Sequence, residues 1–313
     1  MEICIRLKFY VLRAHLSCWI NPGIKKAIAL MVFLGLNGEA HAFEVYGFIP
    51  YDYRVQDGEL IKGRPSSEWF ETFGIHPIDV VYERRMINVV VDKMGKKSFM
   101  LNRDMMKDVG LGKGRKKTTI VSLDLESWDR FDTQTPARLI ETIQSFRKVN
   151  NDTPLGLYAT VPQNTYIWQA DKKDQYDQLN SKYASVADAV DYFSPSLYNY
   201  SKDDYAAWLD GAKYNIAAAK KYSKEKKVIP YITPEIWEDG YTRWLSYDEM
   251  KKRLQALKDL GVDGCIVWAS SRSRSLTGEK PALDPGFGWF KAVTEFSRTS
   301  HTTATRRATR QVQ

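Results

Sequence analysis

Short apolar runs alternate with segments of helical periodicity between residues 43 and 297, and this alternation constrains the fold more than any other feature. The runs have the length and β-branched content of buried strands. The predicted strands are 43–49, 87–92, 118–125, 155–160, 191–197, 227–232 and 263–268. The predicted helices are about 134–148, 176–190, 202–223, 246–259 and 284–297. Strand–helix units of this size predict a parallel sheet, either closed into a barrel or doubly wound.

Helix boundaries support this assignment in the second half of the chain. Ser246 and Glu249 form a capping-box pattern ahead of the helix at 246–259, and Gly261 marks its end. Residues 50–75 and 93–117 do not resolve into helix or strand from pattern alone.

Residues 1–42 have the features of a secretory signal peptide. Two lysines at 25–26 precede an apolar run at 27–36, and an A-x-A cleavage pattern follows at 40–42. The run is too short to span a bilayer, and a retained membrane anchor is the alternative. We therefore expect a secreted or periplasmic protein that begins at Phe43 and has no stable membrane insertion after processing.

The net charge of +8 lies mostly outside the predicted folded body. The leader has a surplus of 3 positive charges and the tail from Arg298 has 4 arginines and no acid, which leaves about +1. Residues 298–313 are polar and rich in Thr and Arg, so we predict a disordered basic tail. The basic cluster at 113–117 precedes a strand, so we interpret it as a solvated loop at the face opposite to a barrel's active site. No nucleic-acid motif is present, and we expect no nucleic-acid partner.

The chain contains three cysteines and four histidines, which form no pattern of a disulfide framework or a zinc site. Two of the cysteines lie within 1–42, and Cys265 lies in an apolar run where a buried core position is expected. No glycine-rich nucleotide-binding motif follows a strand. We expect neither a metal nor a cofactor, and a single enzyme-sized domain at 43–297.

The predicted strand at 118–125 ends in two carboxylates, Asp124 and Glu126. Because side chains alternate along a strand, these two point to the same side, with Cα atoms about 6.5–7 Å apart. Mutual repulsion and partial burial raise the pKa of one carboxyl and leave the other ionised. An acid beside a base or a stabilising carboxylate is what cleavage of a glycosidic bond requires. A structural role in capping a helix or binding a loop is the alternative.

Aromatic residues follow several of the predicted strands. Function in a parallel barrel lies where the strands exit, and Tyr and Trp can stack on sugar rings while hydrogen-bonding their hydroxyls. The candidates at these exits are Tyr51, Tyr53, Tyr166, Trp168, Tyr198, Tyr200, Trp237, Tyr241, Trp244 and Trp268, with Ser270 and Ser271 beside the last. The pattern favours a carbohydrate-active enzyme.

Six short motifs occur in a characteristic order and spacing. They are FEVYGFIP at 43–50, DLESW at 124–128, GLYATVPQNTY at 156–166, PSLY at 195–198, VIPY at 228–231 and DGCIVWASS at 263–271. Together they resemble the hyaluronidases of animal tissues and venoms, glycoside hydrolase family 56, of which this chain would be a divergent member. The resemblance implies a single irregular parallel (β/α)7-8, TIM-like barrel that acts on a polysaccharide.

The resemblance also implies a retaining, substrate-assisted mechanism and assigns roles to residues. Glu126 would be the proton donor and then the base, while Asp124 and Tyr198 would hold the substrate's N-acetyl group. Trp268 would line the acetamide pocket and Tyr166 would assist. With the other strand-exit candidates, the predicted substrate-binding set is Tyr51, Trp128, Tyr166, Trp237, Trp268 and Ser271.

Several departures from the family pattern leave the substrate open. The family's disulfides are absent, the segment after Glu126 is short, Asp129-Arg130 replaces Arg-Pro, and Ala269 replaces a glycine. A chitinase-type or peptidoglycan-cleaving hydrolase and a non-catalytic glycan-binding protein are the alternatives. The natural glycan and the oligomeric state stay open.

Overall fold

The computed structural model describes residues 43–112, 115–116 and 119–311, with side chains described up to residue 300. The predicted signal peptide at 1–42 lies outside the described residues. Within the described part of the chain, no helix combines the length and the apolar character needed to cross a membrane.

Fifteen strands are present in the described residues. In chain order they are β1 (Glu44–Phe48), β2 (Tyr53–Gln56), β3 (Glu59–Lys62), β4 (Ile78–Tyr82), β5 (Ile87–Val91), β6 (Lys97–Leu101), β7 (Ile120–Asp124), β8 (Leu155–Leu157), β9 (Tyr192–Phe193), β10 (Lys227–Val228), β11 (Tyr231–Ile232), β12 (Glu235–Trp237), β13 (Thr242–Trp244), β14 (Gly264–Trp268) and β15 (Ala282–Leu283).

Eight α-helices lie between and after these strands in the described residues. They are α1 (Ser67–Glu71), α2 (Arg103–Leu111), α3 (Thr135–Arg147), α4 (Lys173–Ser181), α5 (Ala184–Ala189), α6 (Tyr205–Tyr222), α7 (Tyr247–Asp259) and α8 (Gly288–Gln311). The predicted α/β class is confirmed. The capping box at Ser246 and Glu249 is also confirmed, since each side chain accepts a hydrogen bond from the other residue's backbone.

Parallel pairing links six of the seven predicted strand segments with one further strand, β4. β1 pairs with β14, β14 with β11, β4 with β7, β7 with β8, and β9 with β10, all parallel. Isolated parallel bridges join Tyr46 to His76, Tyr158 to Ser194 and Ser196 to Tyr231. These ladders and bridges connect β1, β4, β7, β8, β9, β10–β11 and β14, with each bridge involving at least one residue just outside these strands.

Alternation along the strands separates two hydrophobic clusters. Val45, Val121 and Cys265 belong to the larger cluster, which packs against the helices. Their neighbours Tyr46, Ile120 and Ile266 belong to a smaller cluster that also holds Tyr192, Tyr198, Ile229 and Tyr231. Because side chains on one face recur every second residue, Asp124 lies on the same side of β7 as Ile120 and the smaller cluster.

The strand predicted at 87–92 occupies a different place in the fold. Residues 87–91 form β5, which pairs antiparallel with β6 as a hairpin. The strand beside β7 is instead β4, in the parallel register Ile78 to Ile120 through Tyr82 to Asp124. The prediction of 87–92 as a strand of the parallel set is therefore wrong. Asp79 interrupts the apolar pattern of β4, whereas the β-branched run at 89–91 gives a stronger local strand signal.

The last helix continues past the predicted start of the disordered tail. α8 runs from Gly288 to Gln311, across Arg298. The Ser297 hydroxyl donates to the Gly74 carbonyl at 2.6 Å, and Arg298 Nη2 donates to the Thr72 carbonyl at 3.1 Å. The predicted boundary at Arg298 therefore falls within α8, and the disordered basic tail at 298–313 stays a prediction.

Candidate active site

The carboxyl end of β7 places two acidic side chains at the mouth of the parallel strands. Asp124 is the last residue of β7 and is half-buried, and Glu126 follows two residues later and is exposed. Between them Leu125 packs against the larger core cluster. Buried Leu123 and partly buried Leu125 fix this segment, so that Asp124 and Glu126 both turn toward one cavity.

This first cavity has a volume of about 380 Å³ and is formed by the exits of several strands. Its lining consists of Val80, Tyr82, Glu83, Asp124, Glu126, Tyr158, Tyr198, Tyr231, Trp268 and Arg272. Four of the sequence-predicted site residues therefore meet in one place: Asp124, Glu126, Tyr198 and Trp268. A volume of this size suits one or two sugar rings.

The electrostatics of the two carboxyls favour their neutral forms. Desolvation by burial raises the pKa of Asp124 to about 7, with further contributions from the negative charges of Glu126 and Glu83. Desolvation first and Glu83 second also raise the pKa of Glu126. A raised pKa allows a carboxyl to donate a proton near neutral pH, which is the property of a general acid.

Asp124 has hydrogen-bonding capacity that the protein leaves unused. Its Oδ1 atom is buried and has no hydrogen-bond partner among the described residues, and the same holds for the Tyr231 hydroxyl in the same cavity. Buried polar atoms without a partner are rare in folded proteins and raise the question of what satisfies them. A ligand donor, such as an amide N–H, would satisfy Asp124.

Aromatic rings form one wall of the first cavity. Tyr198 and Trp268 stack with ring centroids 5.2 Å apart and an interplanar angle of 18°. Trp268 Nε1 donates to the Tyr82 hydroxyl at 3.2 Å, which fixes the indole. Trp237 lies edge-on to both rings and is 40% exposed. It lies outside the cavity lining but extends the aromatic wall toward solvent.

A second cavity of about 320 Å³ lies on the other side of Glu126. Glu126 and Tyr158 line both cavities, so that Glu126 stands between them. Two predicted substrate-binding residues are here: Tyr166 is exposed, whereas Trp128 is largely buried and donates from Nε1 to the Phe99 carbonyl at 3.0 Å. An acid between two adjacent cavities is the arrangement needed to protonate a bond whose two sugars occupy one cavity each.

Three predicted substrate-binding residues, Tyr51, Trp237 and Ser271, line neither cavity. Tyr51 is only 2% exposed, and its hydroxyl donates to Glu235 Oε1 at 2.6 Å and accepts from Trp244 Nε1 at 2.9 Å. Ser271 is exposed beside the Trp268 strand end. The Tyr51 hydroxyl thus points to a buried carboxylate inside the protein, and its contact with a sugar stays a prediction.

Six residues that line the first cavity were not predicted as site residues from the sequence, namely Val80, Tyr82, Glu83, Tyr158, Tyr231 and Arg272. Tyr82 and Glu83 could have been found if β4 had been predicted, because the end of β4 lies beside the end of β7. Tyr158 directly follows β8, and Arg272 lies four residues after Trp268, the last residue of β14. Position at or shortly after the end of a parallel strand is the signal that could have found Tyr82, Glu83, Tyr158 and Arg272.

The carboxyls of the first cavity, Glu83, Asp124 and Glu126, are not arranged as a metal site. Among the described residues, no group of three or more His, Cys, Asp or Glu is arranged to hold a metal ion. Cys265, the free cysteine of the described part, is buried. The described chemistry of the site is therefore that of carboxyls, tyrosines and tryptophans.

Comparison with known proteins places this fold among glycoside hydrolases. No protein-family model matches the chain, and no curated protein sequence matches it. The structure of bee venom hyaluronidase in complex with a hyaluronic acid tetramer matches with a TM-score of 0.52 at 17% identity, over 73% of this chain and 91% of that chain. A monoclinic crystal structure of the same enzyme matches with a TM-score of 0.51 at 16% identity and the same coverage. The likeness shows a glycoside hydrolase-like fold.

Proposed function

We propose that this protein is a glycoside hydrolase that cleaves an N-acetylhexosamine-containing polysaccharide of the hyaluronan type. The observation that carries the proposal is the position of Glu126 between two cavities, with Asp124 beside it in the first. Bee venom hyaluronidase, whose fold is similar, was crystallised with a hyaluronic acid tetramer. That likeness supports a glycan substrate, and the motifs at 124–128 and 263–271 support the hyaluronidase-type reaction.

The first step of the proposed reaction uses the substrate's own acetamide as the nucleophile. The acetamide carbonyl oxygen attacks C1 of the sugar in the first cavity, and the C1–oxygen bond to the leaving sugar breaks. Glu126 gives its proton to the departing oxygen, and its raised pKa suits that role. Asp124 Oδ1, which lacks a donor among the described residues, accepts the acetamide N–H and stabilises the positive charge that develops there.

The second step restores the enzyme and retains the configuration at C1. Glu126 is now a carboxylate and takes a proton from water. The water oxygen attacks C1, and the bond between C1 and the acetamide oxygen breaks. Tyr198 and Trp268 form the wall of the acetamide pocket throughout, and Tyr166 with Trp128 contacts the leaving sugar in the second cavity.

The strand pairings support a closed barrel as the scaffold of this site. The parallel ladders and bridges return to β1 after seven strands or broken strands. We infer an irregular (β/α)7 barrel at 43–297, with the carboxyl cluster at the carboxyl ends of its strands, where barrel enzymes place their active sites.

Export is also part of the proposal, with cleavage after Ala42. Phe43 is 3% exposed and its ring packs edge-on against Phe296 at 5.2 Å, so the new terminus would lie in the folded body. Intact mass of protein recovered outside the cytoplasm should match a chain that starts at Phe43. A recovered chain that retains 1–42 would contradict this proposal.

A substrate panel tests the proposed activity directly. Reducing ends released from hyaluronan, chondroitin, chitin oligomers and peptidoglycan would identify the glycan, with each polymer also offered after de-N-acetylation. Because the acetamide is the nucleophile, we expect the de-N-acetylated form to be cleaved at least about 10²-fold more slowly. Equal rates on both forms would reject the substrate-assisted mechanism, and binding without turnover by the parent would favour a glycan-binding protein.

A further inference from the structure

Glu83 is the first residue after β4 and makes three hydrogen bonds to the segment that carries Glu126. Its Oε2 accepts from the backbone N–H of Glu126 at 3.2 Å and of Ser127 at 2.9 Å. Its Oε1 accepts from the Ser127 hydroxyl at 2.7 Å. One carboxylate on the neighbouring strand exit therefore holds two consecutive residues of the β7 exit.

These bonds fix the backbone of Glu126 and leave its side chain available. Within the described residues, the Glu126 carboxyl forms no hydrogen bond or ion pair of its own, while its N–H is bound to Glu83. Hydrogen bonds to an ionised acceptor are about twice as strong as neutral ones. A general acid needs this combination, because the reacting group must be free for the substrate but held at a fixed position.

Glu83 also brings a third carboxyl into the first cavity. The charged groups that line this cavity are Glu83, Asp124, Glu126 and Arg272. The other titratable groups that line it are Tyr82, Tyr158, Tyr198 and Tyr231, whose pKa values are all raised by burial. Asp129 and Arg130 follow Glu126 on its own loop and line the second cavity. The three carboxyls of this cavity therefore face one cation, Arg272, and neutral hydroxyls.

We propose that Glu83 is a positioning residue of the hydrolytic site, which holds the backbone that carries Glu126 and places a negative charge beside its carboxyl. This role rests on the proposed hydrolase function and adds a residue that neither the DLESW motif nor its neighbours contain. The charge of Glu83 raises the pKa of both Glu126 and Asp124, so it helps to retain the proton that the first step transfers.

Two variants separate the charge of Glu83 from its hydrogen bonds. Glu83→Gln removes the charge but keeps one carbonyl acceptor, whereas Ser127→Ala removes one donated hydrogen bond and keeps the charge. For Glu83→Gln we expect kcat to fall about tenfold or more with KM within about twofold, as for a loss in the transition state. The alkaline limb of its pH–rate profile should move to lower pH by at least about half a unit, because removing a nearby negative charge lowers the pKa of the acid.

Ser127→Ala should lower kcat by less than about fivefold and leave the alkaline limb in place, since one neutral donor is lost and no charge changes. Glu83→Asp keeps the charge on a shorter side chain and should restore the position of the limb. Glu59→Gln, an exposed acid on β3, is the matched control for charge removal. A Glu83→Gln enzyme with the parent's kcat and pH profile would overturn the inference.

Carboxyl ¹³C NMR titration distinguishes failure of this inference from failure of the proposed function. In Glu83→Gln the pKa of Glu126 should decrease relative to the parent, a readout that needs no turnover. If the parent cleaves glycans but the pKa of Glu126 is the same in Glu83→Gln as in the parent, the role of Glu83 alone is overturned. A parent that cleaves no glycan would overturn the proposed function, and with it any role of Glu83 in catalysis.

Discussion

Two carboxyls of this protein with buried oxygen atoms, Glu235 and Asp124, differ in how the protein satisfies them. Glu235 is fully buried and accepts hydrogen bonds from the Tyr51 hydroxyl at 2.6 Å, the Ser273 hydroxyl at 2.7 Å and the Ser270 backbone N–H at 2.9 Å. Asp124 lies at the end of β7 with one buried oxygen that has no donor among the described residues. One carboxyl is satisfied by the fold, and the other is not.

The surroundings of Glu235 and Asp124 also act differently on their pKa values. Desolvation by burial raises the pKa of both groups. The hydrogen bonds of Glu235 act against that increase, whereas the charges of Glu126 and Glu83 add to the increase for Asp124. A satisfied buried carboxyl supports the structure around it, while an unsatisfied one beside like charges indicates a position where a ligand binds.

The largest effect is expected from Glu126→Gln. Gln keeps the shape of the side chain but has no proton to transfer, and both steps of the proposed reaction use that proton. We expect kcat to fall by at least about 10³-fold with little change in substrate binding, because the lost interaction belongs to the transition state. Initial rates and binding isotherms on the best glycan of the panel measure both quantities.

Glu59→Gln provides the matched control for this variant and should retain the parent's rate. A Glu126→Gln variant that keeps more than about a tenth of the parent's kcat would show that general acid–base catalysis, typically worth 10²–10⁴-fold, comes from another group. The carboxyl cluster around Asp124 would then have to be assigned a structural role like that of Glu235.

The next largest effect is expected from Glu235→Ala, measured as stability. Removing this carboxylate leaves donors from Tyr51, Ser273 and Ser270 buried without their acceptor. We expect the free energy of unfolding to fall by about 3–5 kcal/mol, because unsatisfied buried polar groups cost about 1–3 kcal/mol each. Urea unfolding followed by tryptophan fluorescence measures it, with Glu59→Ala as the control. A loss below about 1 kcal/mol would mean that the donors find other partners.

Asp124→Asn should increase the free energy of unfolding, in contrast to Glu235→Ala, and the increase should depend on pH. The pKa of Asp124 is raised in the folded state to about 7, so folding disfavours its ionised form above that pH. The stability that its protonated form contributes is fully present below about pH 4 and is lost as pH rises through 7. We therefore expect the variant to be more stable than the parent by about 1–4 kcal/mol at pH 8 and equal to it below pH 4.

Thermal unfolding of parent and variant at pH 4, 6 and 8 checks this prediction, and kcat of the variant should be lower than that of the parent at every pH. A gain in stability accompanied by a loss of activity is expected where a carboxyl is kept for function at a cost to the fold. A variant that is less stable than the parent at pH 8 would place Asp124 with Glu235 as a structural carboxyl.

The sequence predicted the part of the site that depends on local pattern. The run at 118–125 has uncharged residues up to Asp124, four of them β-branched, and strand alternation places Asp124 and Glu126 on one side. Position after a strand likewise brought Tyr198 and Trp268 to the cavity. These features depend on neighbours within a few residues, so the pattern of the chain is sufficient to predict them.

The parts that the sequence did not predict depend on distant partners. β4 contains Asp79, whose pairing with Arg115 lies 36 residues away, so its strand pattern looks interrupted in the sequence. With β4 missed, Glu83 could not be placed beside β7. Tyr51 follows a strand exit as predicted, but Glu235, 184 residues further along, determines where its hydroxyl points. Local periodicity carries no information about such partners.

The smallest effect is expected from Tyr51→Phe, which tests whether Tyr51 belongs to the Glu235 network or to the sugar-binding surface. Phe keeps the buried ring and removes the hydroxyl, so that Glu235 loses one of its three donors and Trp244 Nε1 loses its acceptor. We expect a stability loss of about 1–2 kcal/mol and a KM for the glycan within about twofold of the parent. Urea unfolding and steady-state kinetics measure the two quantities on the same preparation. A KM that rises severalfold with unchanged stability would show that Tyr51 contacts the substrate. A full set of hydrogen bonds within the protein would then no longer distinguish the Glu235 network from the active site.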